Sequence, residues 1–147
     1  MTTTAPSADA RALGLAHYAA RGVLETVLAR YGTTFQQMIA LRAVATAETP
    51  VERGEVVGYV IDSLKAEAAE ADAVVEELLA GGLIAAEASR LRVTDSGREL
   101  FARTGAEQKE ISARIWGGIP AEDLAAAGRV LSLVTERANR ELATLSA

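Results

Sequence analysis

The acidic side chains and the lone histidine of this sequence are not arranged for catalysis. Two carboxylate pairs occur, Glu76–Glu77 and Glu122–Asp123. Adjacent residues of a helix point about 100° apart, so the members of each pair do not converge on one substrate. There is no cysteine, and His17 is the only histidine, which excludes disulfides, zinc-thiolate sites and histidine clusters that hold a metal. We therefore expect a protein that is not an enzyme and uses no metal or cofactor.

Composition bounds the fold class and the location. The chain has 147 residues, of which 50% are apolar and only 4% aromatic, so it suits one domain of closely packed helices. Its formal net charge is −5, whereas a dedicated nucleic-acid binder is more often basic. No apolar run approaches the ~18 residues of a membrane span, and the N-terminus lacks the features of a signal peptide. We expect a cytoplasmic protein whose residues 1–8 are disordered.

The segment 56–94 has the pattern of two short helices followed by a β-hairpin. Apolar residues recur at helical spacing on both sides of an Ala/Glu corner: Val56, Val57, Val60, Ile61 and Leu64, then Ala71, Val74, Val75, Leu78 and Leu79. Gly81 and Gly82 end the second helix, because glycine adopts the left-handed conformation common at helix C-caps. Two alternating stretches then flank the turn residues 87–89. The order predicts a winged helix-turn-helix, in which the glycine-free corner is either a tight turn or a merger of the two helices.

Longer helices are predicted on both sides of this unit, which we place at 33–94. A first helix spans 9–31 with Asp9 as its cap, and two more lie within 95–145, so that 9–147 forms a single domain. The first and last helices carry apolar stripes, and the residues expected at a dimer interface are Leu13, Leu24, Leu124, Leu131, Val134 and Leu142. The last stripe runs for about six turns, more than a small domain needs internally. We expect a homodimer; the alternative is that the stripe covers the domain's own core.

Three segments of the chain resemble the MarR family of transcriptional regulators. They are ELLAGGLI (Glu77 to Ile84), RLRVTDSGRELF (Arg90 to Phe101) and GGIPAEDLAAAGRVLSLV (Gly117 to Val134). Val93 to Gly97 and Gly118 to Asp123 occupy the places of two family motifs. The resemblance implies a mostly α-helical homodimer with a small β-hairpin wing. It also implies that the fourth helix lies in the major groove of DNA, with the wing on the flanking backbone or minor groove.

The same resemblance suggests which residues contact DNA. Arg90 and Arg92 lie in the predicted wing, and Lys65 lies near the start of the recognition helix, with Arg42 and Arg53 as further candidates. Lysine and arginine supply most of the sequence-independent affinity for DNA by neutralising phosphates. We expect these five cations to hold double-stranded DNA.

The first helix also carries candidate ligand-binding residues. In the family, small aromatic or phenolic ligands lodge between the dimer helices and the winged-helix lobe. His17, Tyr18 and Arg21 lie on the first helix, and Trp116 lies near the end of a later one. We predict that they bind a small aromatic effector; the alternatives are a polar seam at the dimer interface for the first three and a core or interface anchor for Trp116.

The predicted recognition helix departs from the family because it is acidic. From Ala66 to Ala80 it contains no lysine or arginine, and its acidic residues are Glu67, Glu70, Asp72, Glu76 and Glu77. Carboxylates can accept a hydrogen bond from cytosine N4, but they repel phosphates. A second hypothesis is therefore a winged-helix dimer that no longer binds DNA and serves as a ligand-binding or protein-interaction module. A third is a small enzyme in the dimer cleft.

Overall fold

The structure is a computed structural model that describes residues 5–147. Its elements are α1 (Ala10–Arg30), α2 (Phe35–Ala45), β1 (Val51–Glu52), α3 (Arg53–Leu64), α4 (Ala68–Ala80), β2 (Ile84–Glu87), β3 (Arg90–Val93), α5 (Asp95–Trp116) and α6 (Ala121–Leu145). The mostly helical class with a small β wing is confirmed. The disorder predicted for residues 1–8 falls partly on residues 1–4, which lie outside the described residues. Residues 5–9 have no regular secondary structure.

Local capping sets the boundaries of the first two helices. The Asp9 side chain accepts a hydrogen bond from the backbone N–H of Ala12 at 2.8 Å, so α1 begins as predicted. Thr34 and Gln37 form a reciprocal capping box at the start of α2, which satisfies two backbone N–H groups that have no partner within the helix. Between these helices Gly32 has a φ of +69°, a conformation that glycine adopts at little cost.

The helix-turn-helix corner is a tight turn rather than a merger of α3 and α4. Lys65 follows α3 with φ 52° and ψ 38°, in the left-handed region, and α4 begins three residues later at Ala68. The left-handed residue turns the chain sharply, although lysine adopts this conformation less readily than glycine. The corner therefore exists without the glycine that usually forms it.

The wing has three strands where the sequence predicted two. Strand β3 lies between β1 and β2, and both neighbours are antiparallel to it. The strand missed from the sequence is β1, in which Val51 pairs with Leu91. Two residues are too few to show an alternating pattern, so only the pairing defines this strand. The turn between β2 and β3 is also tighter than predicted, because it consists of Ala88 and Ser89 alone.

The start of α5 is fixed against the end of the α4–β2 connection. The Thr94 hydroxyl accepts from the backbone N–H of Gly97 at 3.1 Å and donates to the carbonyl of Gly82 at 2.6 Å. The Thr94 N–H donates to the carbonyl of Leu83 at 3.1 Å. Gly97 is buried, and a Cβ there would lie 2.0 Å from the Leu83 carbonyl oxygen. Glycine is thus required by close backbone approach.

The described chain divides into two compact units, a first one that ends at Lys109 and a second one that spans Glu110–Ala147. The core of the first unit lies between the four helices α1, α2, α3 and α4 and the wing. Its largest fully buried apolar side chains are Leu28, Leu41, Val56, Val60, Val75, Leu78, Ile84 and Leu91. The second unit contains the end of α5 and the whole of α6. No residue of α6 is buried within this chain. No helix in residues 5–147 combines the length and the apolar character needed to cross a membrane.

Candidate nucleic-acid interface and ligand cavity

Arg53 holds two of the acids on α4, the predicted recognition helix. Its Nη2 atom lies 2.6 Å from Asp72 Oδ1 and 2.8 Å from Glu76 Oε1. The two acids are four residues apart and so lie on one side of α4. The hydrogen bond to Asp72, with a smaller contribution from Glu76, raises the pKa of Arg53 against the opposing effect of burial. The backbone N–H of Arg53 also donates to the carbonyl of Ser89 in the wing turn at 3.0 Å. Arg53 therefore links the wing to α4.

The rest of the α4 surface stays negative. Glu77 accepts a hydrogen bond from the Gln37 amide at 2.8 Å, a contact that supplies no positive charge. Glu67 and Glu70 are exposed near the start of the helix. Five carboxylates are thus matched by a single guanidinium, so the approach of a phosphate backbone to α4 itself is unfavourable.

The wing arginines are exposed and each is paired within the wing. Arg90 Nε lies 2.9 Å from Glu52 Oε1, and Arg92 Nε lies 3.4 Å from Glu87 Oε1. The hydrogen bond from Arg90, followed by one from Ser89, lowers the pKa of Glu52. Exposed ion pairs of this kind add little to stability, because water and salt screen the two charges. A phosphate can therefore replace either glutamate at little cost.

The other two predicted DNA contacts lie in different surroundings. Lys65 is exposed at the corner between α3 and α4, next to the recognition helix. Arg42 is exposed on α2, where it also lines a cavity. The five predicted cations thus form no continuous patch: three lie at the wing or the corner, Arg53 is bound to α4, and Arg42 borders the cavity.

The cavity lies among α1, α2 and α5 within the first unit. Its volume is about 170 Å³, and it is lined by Leu24, Phe35, Met38, Ile39, Arg42, Phe101, Thr104, Gly105 and Gln108. A cavity of about 150 Å³ is known to admit benzene, so this one has room for a single aromatic ring. Thr104 donates its hydroxyl to the Leu100 carbonyl at 2.8 Å. The groups left to orient a polar substituent are Arg42 and Gln108.

The residues predicted to bind a ligand lie outside this lining. His17 and Tyr18 contact each other edge to face with ring centroids 5.3 Å apart, and Tyr18 is 70% exposed. Arg21 contacts a lining residue, since its guanidinium carbon lies 4.6 Å from the ring centroid of Phe35. Trp116 belongs to the second unit and is exposed.

One feature of the sequence could have indicated the cavity. Thr104 and Gly105 are small residues in the middle of a long helix, and small side chains facing neighbouring helices leave space between them. The identity of the opposing residues on α1 and α2 depends on the packing. Among residues 5–147, no group of three or more His, Cys, Asp or Glu side chains is placed to hold a metal ion.

Comparison with solved structures identifies the fold. CouR from Rhodococcus jostii, solved with p-coumaroyl-CoA, is 18% identical with a TM-score of 0.70, over 84% of this chain and 88% of that one. A MarR family transcriptional regulator from Silicibacter pomeroyi is 18% identical with a TM-score of 0.69, over 85% and 88%. The protein has the MarR-like winged-helix fold.

One more similar structure was solved with DNA. The MarR family protein Rv2887 of Mycobacterium tuberculosis, solved in complex with DNA, is 19% identical with a TM-score of 0.64, over 87% of this chain and 98% of that one. The same protein has been solved with p-aminosalicylic acid. No protein-family model matches this sequence, and no curated protein matches it. The similarity at these identities therefore establishes the fold.

Proposed function

We propose that this protein is a homodimeric MarR-like transcriptional regulator that binds double-stranded DNA and responds to a small aromatic or apolar ligand. The observation that carries the proposal is the match of its MarR-like winged-helix fold to nearly the whole of a protein solved on DNA. Because one fold can host many functions, the proposal must also stand on the site. We also propose that the protein is cytoplasmic and that it is not an enzyme.

The wing and the helix corner supply the contacts to phosphate. Arg90 and Arg92 exchange their glutamate partners for phosphate oxygens, and Lys65 contacts the backbone beside α4. Arg53 keeps its two carboxylates, which reduces the repulsion between α4 and DNA. The acids nearer the start of α4 can accept hydrogen bonds from cytosine N4 in the major groove. Such a protein binds DNA with few phosphate contacts and therefore with a shallow salt dependence.

The ligand is proposed to bind in the cavity among α1, α2 and α5. Its apolar lining suits one aromatic ring, and Arg42 suits a carboxylate or phenolate substituent. Arg21 supports the site from outside by packing on Phe35. For His17, Tyr18 and Trp116, ligand binding stays a prediction that rests on the resemblance alone.

The second copy is proposed to cover the apolar face of α6. Leu131, Val134 and Leu142 are each at least 42% exposed in the single chain, and a repeated exposed apolar face of this kind marks an interaction surface. Leu124 continues the stripe and is half-buried. In the first unit Leu13 is exposed, while Leu24 packs against the core and lines the cavity. We therefore retain Leu13 as an interface residue and assign Leu24 to the cavity.

The test is fluorescence anisotropy with the duplex upstream of the protein's own gene and a scrambled duplex, across a salt series. We expect tighter binding to the native duplex. Arg92→Ala should weaken binding to both duplexes and reduce the slope of log K against log salt by about 1, since one phosphate contact is lost. Arg103→Ala is the matched control, because Arg103 is also an exposed, ion-paired arginine but lies on α5.

Two results would contradict the proposal. Equal salt slopes for wild type and Arg92→Ala would remove the wing from the interface. Absence of binding at low salt would favour the second hypothesis, in which the acidic surface of α4 serves as a protein-interaction module. That hypothesis has its own support in the excess of carboxylates on α4 described above.

A further inference from the structure

A second cleft lies beside the connection between α1 and α2. It has a volume of about 310 Å³ and is lined by Tyr31, Gly32, Thr33, Gln37, Glu77, Gly81, Leu83 and Leu100. These residues come from the ends of α1 and α4, the start of α2, the segment before β2, and α5. The two linings share no residue.

A chain of hydrogen bonds fixes the polar side of this cleft. The Thr33 hydroxyl donates to Gln37 Oε1 at 3.0 Å, and the Thr34 N–H donates to the same oxygen at 3.1 Å. The Gln37 amide then donates to Glu77 Oε2 at 2.8 Å. The chain ends on the carboxylate of Glu77, whose two oxygens can accept several hydrogen bonds. Glu77 is thus held in place as an acceptor for a donor on a ligand.

The backbone adds negative potential to the same cleft. Helix α1 ends at Arg30, directly before the lining residue Tyr31, and α4 ends at Ala80, directly before Gly81. Each helix C-terminus carries a partial negative charge. Two helix ends and one carboxylate therefore meet here, and they favour a cation.

The positive charges near Tyr31 are themselves paired. The Tyr31 hydroxyl donates to Glu107 Oε2 at 2.7 Å, and Arg30 contacts the other oxygen of Glu107 at 2.7 Å. The positive charge of Arg103 also acts on Tyr31 and by itself lowers its pKa. Arg103 is paired in turn, since its Nη1 atom lies 3.6 Å from Glu99 Oε1. The hydrogen bond to Glu107, together with burial, raises the pKa of Tyr31. Tyr31 therefore remains a neutral phenol at physiological pH.

We propose that this cleft binds a small organic ammonium ion with an aromatic or apolar body. Its ammonium group is bound by Glu77, and its body lies on Leu83, Leu100 and the Tyr31 side chain. The first cavity, which is bordered by Arg42, suits the opposite charge. A cation in the cleft contacts the C-terminal part of α4 and neutralises one of its acids. An effect on DNA affinity rests on the proposed function above, whereas the binding site itself does not.

The test is titration of the isotope-labelled full-length protein with 2-phenylethylamine, followed by NMR amide shifts. Saturable shifts are expected at Thr33, Gln37 and Gly81. Glu77→Gln keeps an acceptor for Gln37 but removes the charge, and it should weaken binding by about tenfold or more, as expected for loss of a charge-assisted hydrogen bond. Glu70→Gln is the control, because Glu70 is an exposed acid of the same helix outside the cleft, and its affinity should match that of the wild type.

Four outcomes would overturn the proposal. They are the absence of saturable shifts at millimolar amine, shifts confined to the first cavity, equal affinity of Glu77→Gln and wild type, and equal losses in the two variants, which would indicate general attraction to an acidic helix. Phenylacetate serves as the anionic control and should not displace the amine. The titration uses no DNA, so its result is independent of the anisotropy experiment.

Discussion

The close backbone approach at Gly97 allows the effect of one methyl group to be worked out from distances. In Gly97→Ala the new Cβ would lie 2.0 Å from the Leu83 carbonyl oxygen and 3.0 Å from Val93 Cγ2. Ordinary van der Waals contact begins at 3.4 Å, and the first obstacle is backbone, which cannot change rotamer. The start of α5 must therefore move by more than an ångström relative to the segment before β2, and the 3.1 Å hydrogen bond between Thr94 and Leu83 is lost or stretched.

The cost is the sum of two destabilising effects less one stabilising effect. Overpacking costs about 1–3 kcal/mol, with rigid backbone at the upper end, and the lost hydrogen bond adds about 1 kcal/mol. The higher helix propensity of alanine relative to glycine stabilises the variant by about 1 kcal/mol. We expect the free energy of unfolding to fall by about 3 kcal/mol, a large fraction of the roughly 5–15 kcal/mol typical of a domain. The melting temperature should fall by about 10 °C.

Urea unfolding at a fixed protein concentration measures this effect, since dimerisation would make the stability depend on concentration. Gly58→Ala is the control. It also replaces a helical glycine, in the middle of α3, but its Cβ meets no heavy atom within 4 Å. That variant should gain about 0.5–1 kcal/mol. If Gly97→Ala unfolds within about 0.5 kcal/mol of the wild type, where ordinary surface substitutions fall, the close approach of α5 to Leu83 does not exist in solution.

Three further perturbations have expected outcomes. Leu131→Lys should give monomers in sedimentation equilibrium, while Ser132→Lys, on a different side of α6, should not; a dimer in both cases would remove Leu131 from the dimer interface. Arg53→Met should lose about 1 kcal/mol in urea unfolding, because two partly exposed ion pairs disappear, and a loss unchanged in 1 M salt would contradict an electrostatic origin. Arg90 lowers the pKa of Glu52 below its ordinary 4.5, so the stability contributed by this pair is present above pH 4.5 and lost as the pH falls through the lower folded-state pKa. Glu52→Gln should accordingly lower the melting temperature at pH 7 more than at pH 3.

The parts of the site that could be predicted are those that lie close together in the chain. The exposed arginines of the wing follow from the alternation of β3 and its turn, and both are exposed in the structure. The cavity could not be found in this way, because its lining comes from three helices that are separate in sequence. Arg21 was placed near a ligand by its helix position, yet what it contacts is Phe35, across the α1–α2 connection.

The sequence by itself determined the helices, because caps and periodicity act over a few residues. Asp9 and Thr34 begin α1 and α2 through hydrogen bonds to backbone groups three residues away, and these are visible in the order of residue types. The tertiary structure decided the rest. Strand β1 exists only because β3 pairs with it. The acids of α4 gain their cation from Arg53, about twenty residues earlier in the chain, because only folding brings α3 and α4 together, and no local pattern encodes which distant charges will meet.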